Sequence, residues 1–189
     1  IFQKKGATID TPSNLKAAKI LEQWIKKGYF PSDINAIEYT DAADRFTKGE
    51  GVFTFNGDWQ NPAYEAAMPG NVGFFLMPPE KAGGSPAAMS APLTYGIAAK
   101  AKHADAAAFF FTWVASNPVA RQINVDIGGS NPGGPADASV PKVKEGSVTK
   151  ETLAAGVVIG KAGTAMDFIA NATSSIFAQG WTPELQKMV

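Results

Sequence analysis

The side chains of this sequence that could do chemistry are concentrated in one short turn, Asn56-Gly57-Asp58-Trp59. The turn follows an apolar run and precedes a helical pattern, and in α/β proteins ligand crevices open at such strand ends. An indole is a flat, rigid surface on which the apolar face of a pyranose can stack, contributing about 1 kcal/mol beyond area burial. Trp59 is therefore the first candidate ligand-binding residue, with Asp58 and Asn56 as candidates to bond hydroxyl groups.

The same three residues also have purely structural explanations. Trp59 could be a core aromatic residue that anchors the start of a helix, and Asp58 could cap that helix. Asn56 could simply form the turn, since its side chain readily bonds nearby backbone groups. The residues alone leave both interpretations open.

The sequence offers little for catalysis, and we expect neither an enzyme nor a metal or cofactor site. His103 is the only histidine and there is no cysteine. No G-x-S-x-G elbow is present, so nothing marks a nucleophilic serine. The Gly-rich stretch Gly128–Gly134 could suggest a phosphate cradle, but no G-K-[ST] follows it.

Composition indicates a water-soluble globular protein. Apolar residues make up 45% of the 189 residues, and 17 basic residues balance 17 acidic ones. A balanced charge provides no field to attract nucleic acid or an anionic membrane. No apolar run reaches the roughly 18 residues that a membrane-spanning helix needs.

Periodicity and capping signals predict mainly helices with a few strands between them. The predicted strands are Val52–Phe55, Val72–Met77 and Thr94–Ala99, with residues 80–93 as a loop. The predicted helices begin at Pro12, Asp41, Trp59, Asp105 and Pro118. They continue with one that Thr149 caps and that runs to about Ile159, with Thr164–Gln179, and with a last one from Thr182. Three strands make a poor sheet on their own, so we expect the chain to be a portion of a longer protein.

Five segments in order resemble the family 1 extracellular solute-binding proteins, the maltose-binding protein group. Phe46–Trp59 is similar to that family's F-x-x-G-x-x-A-M-x-x-x-G-x-W segment, and Tyr95–Lys100 to its G-I-s-k strand. Ala106–Gln122 is similar to its A-a-x-F-l-x-f-l-x-s helix and the residues that follow. The stretch ending at Pro135 resembles its g-x-x-P return, and Gly180–Glu184 its G-x-x-t-p-e-e ending.

The resemblance implies an α/β fold of the periplasmic-binding-protein-like type II, with two lobes that close on a ligand by hinge motion. Mainly the C-terminal lobe would be present here. Residues 1–85 and 134–189 would belong to it, and residues 86–133 would cross over and pack with the N-terminal lobe. Phe109, Phe110 and Trp113 are too apolar for an open surface and would need that cover or another.

The resemblance also implies what the chain binds and where. The ligand would be a small molecule, a sugar or oligosaccharide, and the partners would be the membrane subunits of an ABC importer. Tyr95 would lie near a hinge crossing, and Met166 and Asp167 occupy the region where the family places a second aromatic platform, which this sequence lacks. The protein would be a monomer when full length. It would lie in the periplasm or, as a lipoprotein, on the outer face of the cytoplasmic membrane, with a signal peptide upstream of Ile1.

Three alternatives stay open at this point. The same fold could bind a polyol, a glycerophosphodiester or a polyamine. A glycoside-active enzyme would need two carboxylates about 5–10 Å apart in one cleft, and no such pair stands out. An isolated lobe could also serve as an interaction module without sugar binding.

Overall fold

The computed structural model describes residues 9–91, 95–134, 138–168 and 177–189. The chain divides into two compact units. The terminal unit combines the residues up to Arg45 with those from Asp167 onward, and the central unit runs from Phe46 to Met166.

Helices dominate both units. The terminal unit contains α1 (Pro12–Lys26), a 3₁₀ turn (Ile34–Ala36), most of α2 (Tyr39–Thr47), a π-helical turn (Phe177–Trp181) and α7 (Thr182–Gln186). The central unit contains a 3₁₀ turn (Asp58–Gln60), α3 (Asn61–Ala67), α4 (Ala104–Ser116), α5 (Pro118–Gly128) and α6 (Val148–Ala162). No helix among the described residues is long and apolar enough to cross a membrane.

Capping chemistry sets the helix starts, as the sequence predicted for α1 and α5. The Thr11 hydroxyl accepts from the backbone N–H of Asn14 at 3.2 Å, and Pro12 follows at the first helical position. Asn117 caps α5 in the same way, accepting from Val119 N at 2.9 Å. At α6 the prediction was wrong by two residues, because Ser147 rather than Thr149 is the cap.

The three predicted strands do not form. Val52–Phe55 and Val72–Met77 are irregular, as are residues 95–99, while Thr94 lies outside the described residues. Val52 is 82% exposed. A β-rich segment becomes a strand only when another segment pairs with its backbone. The rings of Phe53 and Phe75 do meet edge to face, with centroids 5.7 Å apart, so the first two segments touch through side chains without a hydrogen-bonded ladder.

A small sheet forms at other positions instead. Its strands are β1 (Ala88–Ser90) and β2 (Ala165–Asp167), paired with each other. The first lies in the predicted loop and the second in the predicted helix Thr164–Gln179, so both predictions were wrong there. Beside the pair, the Thr164 hydroxyl donates to Pro86 O at 2.6 Å. The expected α/β class is therefore supported only in part, because the described residues are mainly helical and contain one two-stranded sheet.

The core of the central unit lies where α3, α5 and α6 meet. Its buried apolar residues include Tyr64, Ala120, Val125 and Ile159. Val119 and Ile123 of α5 are at least half exposed, whereas Ala120 of the same helix is buried.

The apolar face of α4 has no cover among the described residues. Phe109 is 72% exposed, and Phe110 and Trp113 also remain exposed, their rings stacked with centroids 6.4 Å apart. Three large aromatic side chains exposed together on one helix are unusual for a surface that contacts only water. The prediction that another segment or protein covers this face therefore stays a prediction.

A buried amide–hydroxyl pair joins α3 to α6. Asn61 Nδ2 donates to Thr152 Oγ1 at 2.9 Å, and that hydroxyl donates in turn to Thr149 O at 3.0 Å.

We expect Asn61→Ala to lower the free energy of unfolding by about 1–3 kcal/mol, because the buried Thr152 Oγ1 loses its hydrogen-bond donor. Urea unfolding of Asn61→Ala, Thr152→Val and the double variant measures this. Strictly additive losses would show that the two side chains do not interact.

Candidate functional site

The turn that the sequence singled out is anchored to α3 through Asn56. Asn56 Nδ2 donates to the Tyr64 hydroxyl at 2.8 Å, while its Oδ1 accepts from Gly57 N at 2.8 Å. Tyr64 is buried, and its ring meets Phe46 edge to face with centroids 5.3 Å apart. The amide of Asn56 thus both forms the turn and holds it to the core.

Trp59 lies across Gly57. A Cβ atom at Gly57 would overlap the six-membered ring of the indole, so only glycine leaves room for it. The indole is nevertheless 51% exposed. A tryptophan ring that packs on the turn and keeps half of its surface exposed can serve as a stacking surface. The structure therefore does not make Trp59 a core residue.

Asp58 makes a long-range contact that sequence reasoning missed. Its Oδ2 accepts from the backbone N–H of Asn131 at 2.6 Å, across 73 residues of chain. No side-chain capping bond is formed at the start of the 3₁₀ turn Asp58–Gln60. A hydrogen bond from a backbone amide to a carboxylate is charge-assisted and stronger than a neutral one. Asp58 thus ties the turn to the Gly-rich loop.

Arg121 of α5 also holds the Gly-rich loop, Gly128–Gly134. This side chain is 7% exposed and donates to the backbone carbonyls of Ala115, Gly133 and Ser139, at 2.8 Å for Ala115 and Ser139. The buried guanidinium therefore links the loop, through Gly133 O, to Ala115 of α4 and to Ser139. The run of glycines and prolines signalled an irregular loop, but no local pattern signalled these contacts.

The other three candidate residues lie on other elements. Tyr95 is 74% exposed, and its ring packs at a tilt on Phe111 of α4, with centroids 5.6 Å apart. Met166 is an exposed residue of β2. Asp167 is also exposed and belongs to the terminal unit. The structure therefore groups Asn56, Asp58 and Trp59 on one turn and places Tyr95, Met166 and Asp167 elsewhere.

The terminal unit has a separate apolar cavity of about 340 Å³. Leu21 and Ile25 of α1 line it together with Leu185 of α7. Its polar neighbours Asn35 and Gln186 bond each other, Asn35 Nδ2 donating to Gln186 O at 3.0 Å. A lining of this kind is typical of helix packing and gives a polar solute few partners. No cluster of three metal-ligating side chains occurs in the described part of the chain.

The model of the family described as bacterial extracellular solute-binding protein matches residues 2–155. Among curated proteins, none matches the chain. The matched segment includes the turn at Trp59, the Gly-rich loop and Arg121.

Proposed function

Because the chain belongs to the bacterial extracellular solute-binding protein family, we propose that it is the carbohydrate-binding subunit of an ABC importer. Membership of this family implies a small-molecule ligand, transporter partners and an extracytoplasmic location. Proteins of such a family generally bind and release their ligand without changing it. The carbohydrate and the ABC importer are the parts that go beyond the family.

The observation that carries the carbohydrate proposal is the half-exposed indole of Trp59 resting on Gly57. A sugar ring has one face of C–H groups, and these pack well on a flat aromatic ring. Because the turn is already held by Tyr64 and Asn131, the ring does not have to be ordered when the solute arrives. Such preorganisation raises affinity by lowering the entropy cost of binding.

We assign roles around the Trp59 ring to the remaining candidate residues. Asp58 would accept from a sugar hydroxyl through Oδ1 while Oδ2 keeps its bond to Asn131. Asn56 would support the turn and border the solute. Tyr95, Met166 and Asp167 would reach the solute only from other elements of the closed protein.

Capture would follow the two-lobe, hinge-closing scheme of the maltose-binding protein group. Residues 1–85 and 134–189 would form part of the C-terminal lobe, and residues 86–133 would pack with an N-terminal lobe supplied by a longer chain. The uncovered aromatic face of α4, which lies inside residues 86–133, supports this assignment. The small sheet of two three-residue strands in the described residues supports it as well.

Calorimetry on the full-length protein tests the proposal. The panel should contain glucose, maltose and cellobiose beside glycerol, glycerophosphocholine and spermidine. We expect saturable binding of at least one sugar, without turnover of that sugar on prolonged incubation. If the protein bound only spermidine or a glycerol derivative, the ligand would be that solute and not a carbohydrate. If hydrolysed sugar were released, the protein would be an enzyme and not a binding protein.

A further inference from the structure

The Gly-rich loop Gly128–Gly134 lies directly beside the turn that carries Trp59. Two contacts hold it there. The first is the bond from Asn131 N to the Asp58 carboxylate at 2.6 Å. The second is at Gly129, which is buried against Pro62, the second residue of α3.

Gly129 is the residue that makes this close approach possible. Its φ of +64° lies in the left-handed region, which side-chain-bearing residues rarely adopt. A Cβ atom there would overlap the Pro62 ring and would lie 3.0 Å from Asp58 O. The loop therefore touches the backbone of the residue immediately before Trp59.

The far side of the loop is fixed as well. The Asn131 side chain lies against Gly156 in α6, where a Cβ atom would overlap its amide. Arg121 bonds Gly133 O from below. Asn131 is nevertheless exposed as a residue, while its side-chain amide packs on α6.

From this geometry we propose that the Gly-rich loop forms one wall of the solute site and that Asp58 is the positioning residue that holds it beside Trp59. The inference deepens the proposed function and rests on it. A loop with exposed backbone and amide groups beside an aromatic ring suits a polyhydroxylated solute, because hydroxyls can each donate and accept a hydrogen bond.

Amide exchange of Asn131, followed by NMR in the solute-free protein, tests the role of Asp58. In Asp58→Ala the acceptor is lost, and we expect exchange to become at least about tenfold faster. In Asp58→Asn an amide oxygen remains as acceptor, and we expect exchange close to wild type. Equal exchange in all three proteins would overturn the positioning role. A residue that served only the solute would not change this readout.

Gly129→Ala tests the wall itself, since it displaces the loop while leaving Asp58 and Trp59 unchanged. Gly83→Ala is the matched control, because Gly83 also has positive φ, +78°, but a Cβ there meets nothing within 4 Å. The protein is labelled with 5-fluorotryptophan, and the Trp59 signal is assigned with Trp59→Phe. We expect the Trp59 fluorine signal to shift in Gly129→Ala only.

The sugar that binds in the panel is then titrated into both glycine variants. We expect Gly129→Ala to weaken binding at least about tenfold, which corresponds to about 1.4 kcal/mol, and Gly83→Ala to leave it unchanged. If Gly129→Ala and Gly83→Ala had the same fluorine spectrum and the same affinity, the proposal that the loop forms a wall of the site would be wrong. If wild type binds no sugar, the proposed function fails, while the exchange and fluorine results still decide how the loop is held.

Discussion

Replacing Trp59 by alanine is expected to weaken sugar binding by about 10–100-fold. The indole offers a stacking surface worth about 1 kcal/mol beyond the apolar area that the sugar covers, and each 1.4 kcal/mol is a factor of ten in Kd. Because the side chain is half exposed, its loss should cost less stability than the loss of a fully buried tryptophan. Calorimetry with the bound sugar, together with urea unfolding of the free protein, measures both effects.

Two further variants make the Trp59 result specific. Trp59→Phe keeps a flat ring and should retain part of the affinity. Tyr29→Ala removes another exposed aromatic side chain, one that lies in the terminal unit near Lys27, and should leave binding unchanged. An unchanged Kd in Trp59→Ala would show that the Trp59 indole does not contact the sugar.

Replacing Arg121 by methionine is expected to lower the free energy of unfolding by about 2–4 kcal/mol. Methionine fills a similar volume but donates no hydrogen bond, so the carbonyls of Ala115, Gly133 and Ser139 would lose their charged donor. A hydrogen bond from a charged group contributes about 1.5–3 kcal/mol, and neighbouring losses are not additive. Urea unfolding monitored by circular dichroism gives the value.

Arg45→Met is the matched control for Arg121→Met. Arg45 Nη2 pairs with Asp33 Oδ2 at 2.9 Å, but both side chains are well exposed. The hydrogen bond from Arg45 lowers the pKa of the Asp33 carboxyl, yet an exposed ion pair contributes little to the free energy of unfolding. A loss in Arg121→Met no larger than in this control would show that the Gly-rich loop does not depend on Arg121.

Features that depend on neighbours in the chain could be predicted from the sequence. A cap such as Thr11 or Asn117 bonds a backbone group within three residues, so the residue types and their spacing contain the whole interaction. The α6 start shows the limit of this reasoning, since Ser147 and Thr149 are both good caps and only the backbone conformation distinguishes them.

Strand formation could not be predicted in the same way. Val52–Phe55 has a composition typical of strands, yet the structure leaves it unpaired, while Ala88–Ser90 pairs with Ala165–Asp167. Backbone pairing depends on which distant segment arrives alongside, and β propensity mostly reflects that context. The division into residues 1–85, 86–133 and 134–189 likewise concerns a second lobe and stays a prediction.

For the site, the sequence by itself determined that Asn56-Gly57-Asp58-Trp59 is a turn with an aromatic ring at its end, because residues adjacent in the chain make the turn. Tertiary structure decided that the ring stays half exposed, and that Asp58 holds Asn131 from 73 residues away. It also decided that Arg121 supports the loop that bears Asn131. Contacts of this kind follow from how α3, α5 and α6 pack, and no spacing along the chain contains that information.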